Sequence, residues 1–189
     1  EIDGKSYLTD GPKMTVYRPT IDNDMYKKDD WMNKYFIQKS SEQLEWFSYK
    51  LSDEKAVVTM QKYFGCLNQS WGYVASYEYT VYPCGQVKVH LDARTVQKGK
   101  LEPAFLPRLG VVLKADKSLQ NTMWLGRGLG ENYEDTLTAC PVGIYRSTVD
   151  GMGTNYVFPQ ENGHREAVRW FSIGDGKNSM LCTMEAPYG

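Results

Sequence analysis

Histidine is scarce in this chain, with only His90 and His164 among 189 residues. With so few, no Ser-His-Asp or Cys-His arrangement suggests itself. The four cysteines, Cys66, Cys84, Cys140 and Cys182, form no CxxC pair, so the ligand spacing of a zinc site is missing. Reduced, mostly buried thiols are expected, with one disulfide left open. Long hydrophobic runs are absent: none approaches the ~20 residues needed to cross a bilayer as a helix. An excess of either charge is also lacking, since 22 basic residues face 23 acidic ones for a net charge of −1. Nucleic-acid or anionic-membrane binding would need clustered basic charge. There is no internal repeat, linker or low-complexity tract, so a single domain over residues 1–189 is expected. Residues 1–5, Glu-Ile-Asp-Gly-Lys, have no signal-peptide character. Neither they nor the closing Pro187-Tyr188-Gly189 taper into a tail, and the chain reads as an internal fragment.

Aromatic residues, by contrast, are plentiful at 13%, including fourteen Tyr and five Trp. Flat rings suit a pleated surface and also suit carbohydrate binding, and the first use is the commoner. Period-two alternation dominates the chain after residue 40. Residues 43–51 alternate, with Leu44 and Trp46 assigned to one side and Phe47, Tyr49 and Leu51 to the other. Residues 56–64 form a second run. Residues 73–82 place Tyr73, Ala75, Tyr77, Tyr79 and Val81 on one face. Pro83-Cys84-Gly85-Gln86 then turns the chain into residues 87–96, where Val87, Val89 and Leu91 share a face, which is a hairpin signature. Shorter strands are expected at 13–17, 109–113, 122–125, 142–149, 167–173 and 180–184, separated by Gly and Pro. Only residues 30–40, around Trp31, Tyr35 and Phe36, suggest a short helix, capped by Asp29 or Asp30. The pattern predicts an all-β chain of two packed antiparallel sheets.

Several polar clusters are candidate sites. Asp22-Asn23-Asp24 resembles a metal loop until Tyr26 and Lys27 occupy positions where an EF-hand needs a ligand and a glycine; an Asx-rich turn is expected instead. Gly126-Arg127-Gly128-Leu129-Gly130 lacks the last glycine of a phosphate-cradling loop, since Glu131 stands there. Its glycines are read as letting a strand bend out of its sheet. Arg127, Arg146, Arg165 and Arg169 are expected to pair with the carboxylates of residues 131–135. Glu131, Asp135 and Glu161 have the right side chains for a glycosidase pair, but nothing in their spacing places two of them together. Asn162-Gly163 signals a tight turn, which would leave His164 on an exposed corner. His90 shares a strand face with Lys88 and Asp92, toward solvent. Asn68-Gln69-Ser70 fits the common N-glycosylation pattern.

Three stretches carry a family resemblance. The first is Tyr17-Arg18-Pro19-Thr20-Ile21-Asp22-Asn23-Asp24. The second is Leu106-Pro107-Arg108-Leu109-Gly110, continued by Trp124-Leu125-Gly126-Arg127-Gly128-Leu129-Gly130-Glu131-Asn132-Tyr133-Glu134-Asp135. The third is Tyr145-Arg146-Ser147-Thr148-Val149, continued by Tyr156-Val157-Phe158-Pro159-Gln160-Glu161-Asn162-Gly163. In this order they resemble the C-terminal, small-chain-like domain of family 2 β-galactosidases, with Leu129 and Pro19-Thr20 as departures from the family pattern. The resemblance implies a galactose-mutarotase-like β-supersandwich, incomplete at both ends. It implies a parent enzyme that hydrolyses terminal β-D-galactosides such as lactose with retention, and whose catalytic glutamates lie on a TIM barrel outside this chain. It implies an active-site-rim loop at Asp22, Asn23, Asp24, Met25 and Tyr26. Structural roles would fall to Arg18, Arg127, Glu131, Asn132, Tyr133, Asp135, Tyr156, Pro159, Gln160, Glu161 and Asn162. No cofactor is expected in this chain, while magnesium and sodium belong to the parent near its barrel site. The partners implied are the rest of the β-galactosidase chain or a separate barrel-bearing chain, a β-galactoside, and further copies of the parent in a homo-oligomer. Two other readings are a sugar-binding module and an aldose-epimerase-like enzyme working through Glu161 and His164.

Overall fold

The computed structural model describes residues 2, 4–97 and 103–188. Glu1, Asp3 and Gly189, at the termini on which the fragment reading rests, lie outside the described residues. The chain is all-β, as the alternation predicts. Its ten strands are β1 (Leu8–Thr15), β2 (Ser41–Leu51), β3 (Ala56–Gly65), β4 (Trp71–Val81), β5 (Val87–Gln97), β6 (Gly110–Ala115), β7 (Asn121–Arg127), β8 (Val142–Thr148), β9 (Val168–Gly174) and β10 (Ser179–Tyr188). They form two four-stranded sheets, ordered β2-β3-β4-β5 and β10-β9-β7-β8, and a two-stranded sheet, β1-β6. The chain divides into two compact units, one of residues 11–113 and one of residues 1–10 with 114–189.

In the unit of residues 11–113, the antiparallel registers of β3 with β4 and of β4 with β5 run uninterrupted, as the alternation requires. Tyr73, Ala75, Tyr77 and Tyr79 stand opposite Phe64, Lys62, Met60 and Val58 on one side and Thr95, Ala93, Leu91 and Val89 on the other. This is the core face. Phe64, Ala75 and Tyr77 are buried there with Met14, Val16, Trp31, Ile37 and Trp71. Burying a Val, Ile, Met or Phe side chain of this set is worth about 1.5–3 kcal/mol. The opposite face carries Ser76, Glu78, His90 and Asp92, and His90 is exposed as expected. The expected turn at Pro83–Gln86 is closed by Gly85 N–H to Tyr82 O at 3.0 Å and Tyr82 N–H to Gln86 O at 2.9 Å. Gly85 supplies the positive φ, 86°, that the turn requires.

Two expectations fail in this unit. The pairing of β2 with β3 shifts register between Leu44 and Trp46, so Glu45 is an extra residue. Leu44, opposite Lys62, therefore lies on the face of Phe47, Tyr49 and Leu51, while Trp46, opposite Gln61, lies on the other. The simple alternation had grouped Leu44 with Trp46. The single helix expected over residues 30–40 is instead a π-turn at Asp30–Lys34 and a 3₁₀ turn at Ile37–Lys39. Phe36 breaks it, with a left-handed φ of 54°. Asp29 caps nothing through its side chain; it accepts from Asn33 Nδ2 at 2.6 Å.

The face of this sheet also holds a buried charge. The Glu42 carboxylate accepts from Lys62 Nζ at 2.7 Å, from Met14 N–H at 2.8 Å and from the Tyr77 hydroxyl. Lys62 Nζ lies 4.5 Å from the Tyr77 ring centre. Burial, then the hydrogen bond to Glu42, holds the Tyr77 phenol far above its ordinary range. The network ties β1 to β2, β3 and β4, so losing one charged partner would strand the other.

In the second unit, β7 is central, antiparallel to β8 and β9, and β10 pairs with β9. Trp124 and Leu119 are its buried apolar residues. Gly126 lets β9 approach closely, since a Cβ there would stand 3.1 Å from Val168 Cα. All four cysteines are free, but only Cys66 is buried and Cys84 is exposed, so the expectation of mostly buried thiols fails.

Candidate functional site

The rim-loop candidate belongs to the unit of residues 11–113. Residues 22–24 form a 3₁₀ turn, closed by Asp24 N–H to Ile21 O at 3.0 Å. Asp24 is buried, and its two carboxylate oxygens accept Arg18 Nη1 at 2.6 Å and Nη2 at 3.1 Å. Asp24 Oδ2 also accepts Ile21 N–H at 2.9 Å. Arg18 Nη1 also donates to Pro19 O at 3.0 Å, and its Nε to Pro107 O at 3.2 Å. The bidentate pair fixes both planes at once. Beyond this base, Met25 is 67% exposed and Tyr26 86% exposed. A locked base with an apolar, solvent-facing tip is the physical form of a contact loop. The Asx-rich turn is present, although its one engaged acid is Asp24; Asp22 and Asn23 are exposed.

The second cluster belongs to the other unit and is organised by Asn132, whose exposure is 0%. Its Nδ2 donates to Gly130 O at 3.1 Å, its Oδ1 accepts Glu166 N–H at 2.8 Å, and its own N–H donates to His164 O at 3.0 Å. Gly128 makes room for this: its φ is +89°, and a Cβ there would lie 2.7 Å from Asn132 Nδ2. The expected bend out of the sheet is therefore present. Beside it, Glu131 Oε2 accepts Gly163 N–H at 2.8 Å, and Oε1 accepts the Tyr156 hydroxyl. That hydrogen bond raises the Tyr156 phenol above its ordinary range, because losing the proton would set two negative charges side by side.

His164 is not on an exposed corner. Its ring stacks on Tyr133 with centroids 5.1 Å apart, and its Nε2 lies 2.8 Å from Glu166 Oε1. Gly163, at φ +79°, turns the chain so that the next side chain points back at Tyr133. The expected arginine–carboxylate pairs also fail to form. Arg127 Nη1 donates to Leu137 O at 2.7 Å and Cys140 O at 2.9 Å, and Arg165 donates to His164 O at 3.0 Å and Leu129 O at 3.1 Å. Arg146 meets the Met123 sulfur and Arg169 the Ala167 carbonyl. Loop carbonyls, which have no strand partner, need these donors more than the solvated carboxylates do. Arg165 is buried with its guanidinium 5.2 Å from the Trp124 ring centre, and burial lowers its pKa.

Glu131, Asn132, Tyr133 and Tyr156 thus come together, with Asn162 joined through Thr154 N–H to Asn162 Oδ1 at 3.3 Å. Asp135 and Pro159 are exposed, while Gln160 and Glu161 are half-buried. Sequence reasoning gave Arg165 the wrong partners, and it missed Glu166 and the Glu42–Lys62–Tyr77 network. Only the latter left a signal: Glu42 and Lys62 are charges standing at core-facing strand positions. Chemically, both oxygens of Glu131 are occupied by donors within the chain, which suits an anchor better than a proton carrier. Among the described residues no group of three or more His, Cys, Asp or Glu is placed to hold a metal ion.

An all-β chain of antiparallel sheets, with a clamped polar loop in one unit and an Asn-centred loop cluster in the other, is the class of molecule defined so far. The model of the family described as Beta galactosidase small chain matches residues 1–187, and the chain belongs to that family. A β-galactosidase of Vibrio cholerae is 39% identical over 90 residues, 48% of this chain and 9% of that protein. A β-galactosidase of Photobacterium profundum is 27% identical over 187 residues, covering 92% of this chain and 18% of the relative. One of Kluyveromyces lactis is 28% identical over 188 residues, covering 96% of this chain and 18% of the relative. The chain therefore spans less than a fifth of the length of these relatives.

Proposed function

We propose that this chain is a non-catalytic part of a β-galactosidase that hydrolyses terminal β-D-galactosides, lactose among them, with retention. The observation that carries the reading is the loop at 22–26, whose base is locked by Arg18 and Asp24 while Met25 and Tyr26 project into solvent. Such a loop can shape the rim of a site built by another part of the protein. Retaining hydrolysis needs two carboxylates about 5–5.5 Å apart, one as nucleophile and one as acid/base. These belong to a barrel outside this chain, on the same polypeptide or a separate one. Magnesium and sodium, where the parent uses them, would be held near that barrel site. Arg18, Arg127, Glu131, Asn132, Tyr133, Asp135, Tyr156, Pro159, Gln160, Glu161 and Asn162 then serve structure, holding the loops in shape for the assembled homo-oligomer. The aldose-epimerase reading loses support because the His164 ring is stacked on Tyr133 and its Nε2 faces Glu166. The test is Tyr26→Ala in the complete enzyme. KM for a β-galactoside should rise roughly tenfold, the equivalent of one lost contact, with unfolding unchanged. Unaltered kcat and KM would refute the rim role.

A further inference from the structure

The sheet β10-β9-β7-β8 carries an open groove of about 350 Å³ that none of the residues discussed above explains. It is built where β7, β8 and β9 run side by side, with Met123 directly opposite both Arg146 and Ser172. Adjacent strands are about 4.8 Å apart, so Arg146 and Ser172 flank Met123 across a gap of roughly 10 Å. Asn121 lies opposite Gly174, and Gly174 opposite Ser179, so the line of polar positions continues onto β10. The β9–β10 turn closes the end and adds Lys177.

The chemistry of the lining is one-sided. Arg146 and Lys177 are its charged side chains, hydroxyls and amides supply most of the rest, and no carboxylate lines it. The one acid nearby, Asp175, is already occupied. Its Oδ1 accepts the N–H groups of Lys177 at 2.8 Å and Asn178 at 2.7 Å, and its Oδ2 takes Lys5. These donors hold its carboxyl well below the ordinary range, so it remains charged but turned to its own partners. Arg146 and Lys177 are left without an acidic partner among the described residues. Asn121, Ser172 and Ser179 share this face, since Ser172 stands opposite Met123 and Gly174 stands opposite both Asn121 and Ser179.

We propose that this groove is a binding site for an anionic saccharide. The carboxylate or sulfate lies between Arg146 and Lys177, and the sugar hydroxyls bond to Ser172, Ser179 and Asn121. Two separated cations select a charged group, and the alternating donors and acceptors of hydroxyls and amides match a polyol. The volume, at the low end of the ~300–1,000 Å³ range of ligand sites, suits a mono- or disaccharide. This reading is independent of the role proposed for residues 22–26.

The test is titration of the chain by NMR with galacturonate, galactose 6-sulfate, neutral galactose and sodium sulfate in parallel. Both acidic sugars should shift the amides of Thr122, Ser172 and Ser179, and their binding should weaken as salt rises. Arg146→Gln and Lys177→Gln, both on exposed side chains, should each weaken binding about two- to fivefold. Asn121→Asp, which adds a negative charge at the groove, should weaken it further. Neutral galactose binding as tightly as galacturonate would overturn the charge selection. Sodium sulfate binding as tightly as galactose 6-sulfate would overturn the saccharide assignment. Absence of any shift with the acidic sugars would overturn the site.

Discussion

Replacing Asn132 by alanine should be among the most damaging polar substitutions in its unit, and the reason can be counted. The side chain is 0% exposed and makes two hydrogen bonds, to Gly130 O at 3.1 Å and from Glu166 N–H at 2.8 Å. A net hydrogen bond is worth about 1 kcal/mol, and a buried group left without its partner costs about 1–3 kcal/mol. Asn132→Ala removes both bonds and strands the Gly130 carbonyl and the Glu166 N–H. The expected loss is roughly 2–4 kcal/mol, below the simple sum because water can reach part of the loop. Urea unfolding reads the loss as a lower midpoint with an unchanged slope. Amide exchange should show the Glu166 N–H losing protection before neighbouring strand amides do. A change within about 0.5 kcal/mol of the parent chain, the range of ordinary surface substitutions, would refute the claim that Asn132 organises this loop.

Gly128→Ala should cost about 1–3 kcal/mol, because φ +89° disfavours any Cβ and Asn132 Nδ2 stands 2.7 Å from it. Gly130→Ala, with nothing within 4 Å of its Cβ, should be nearly neutral, and equal thermal shifts for the two variants would contradict the account. Asp175 has a depressed folded-state pKa, held down by the N–H of Asn178, by Lys5 and by the N–H of Lys177. Its stabilisation is therefore fully present above the ordinary carboxylate range and is lost as pH falls through the folded-state value. Asp175→Asn should flatten the acid limb of the stability profile there, and an unchanged limb would mean that the contacts with Asn178, Lys5 and Lys177 together carry no weight.

The strands were legible because alternation is a local property, and β4 and β5 obey it from end to end. Glu45 was not legible as a bulge: an extra residue leaves the composition of β2 untouched and is revealed only by the partner strand. The turn at Phe36 fails the helical reading for a similar reason, since a left-handed phenylalanine is a tertiary outcome that no propensity predicts. In the polar clusters, residue types were a good guide to which residues gather and a poor guide to who bonds whom. Arg127 and Arg165 sit near acids in sequence, yet they serve carbonyls that only the folded loops expose. His164 was misplaced because Gly163 reverses the chain and delivers the ring to Tyr133. Arg18 and Asp24, six residues apart, were both marked by motif, while their bidentate geometry came from the turn between them.

The central claim is that this chain contributes to β-galactoside hydrolysis without supplying the reacting carboxylates. Hydrolysis of nitrophenyl-β-galactoside by the chain alone, and by the chain mixed with a matching barrel-containing chain, tests it most directly. The account predicts no turnover by the chain alone and turnover on mixing. Turnover by the chain alone would place catalytic carboxylates within it and contradict the account.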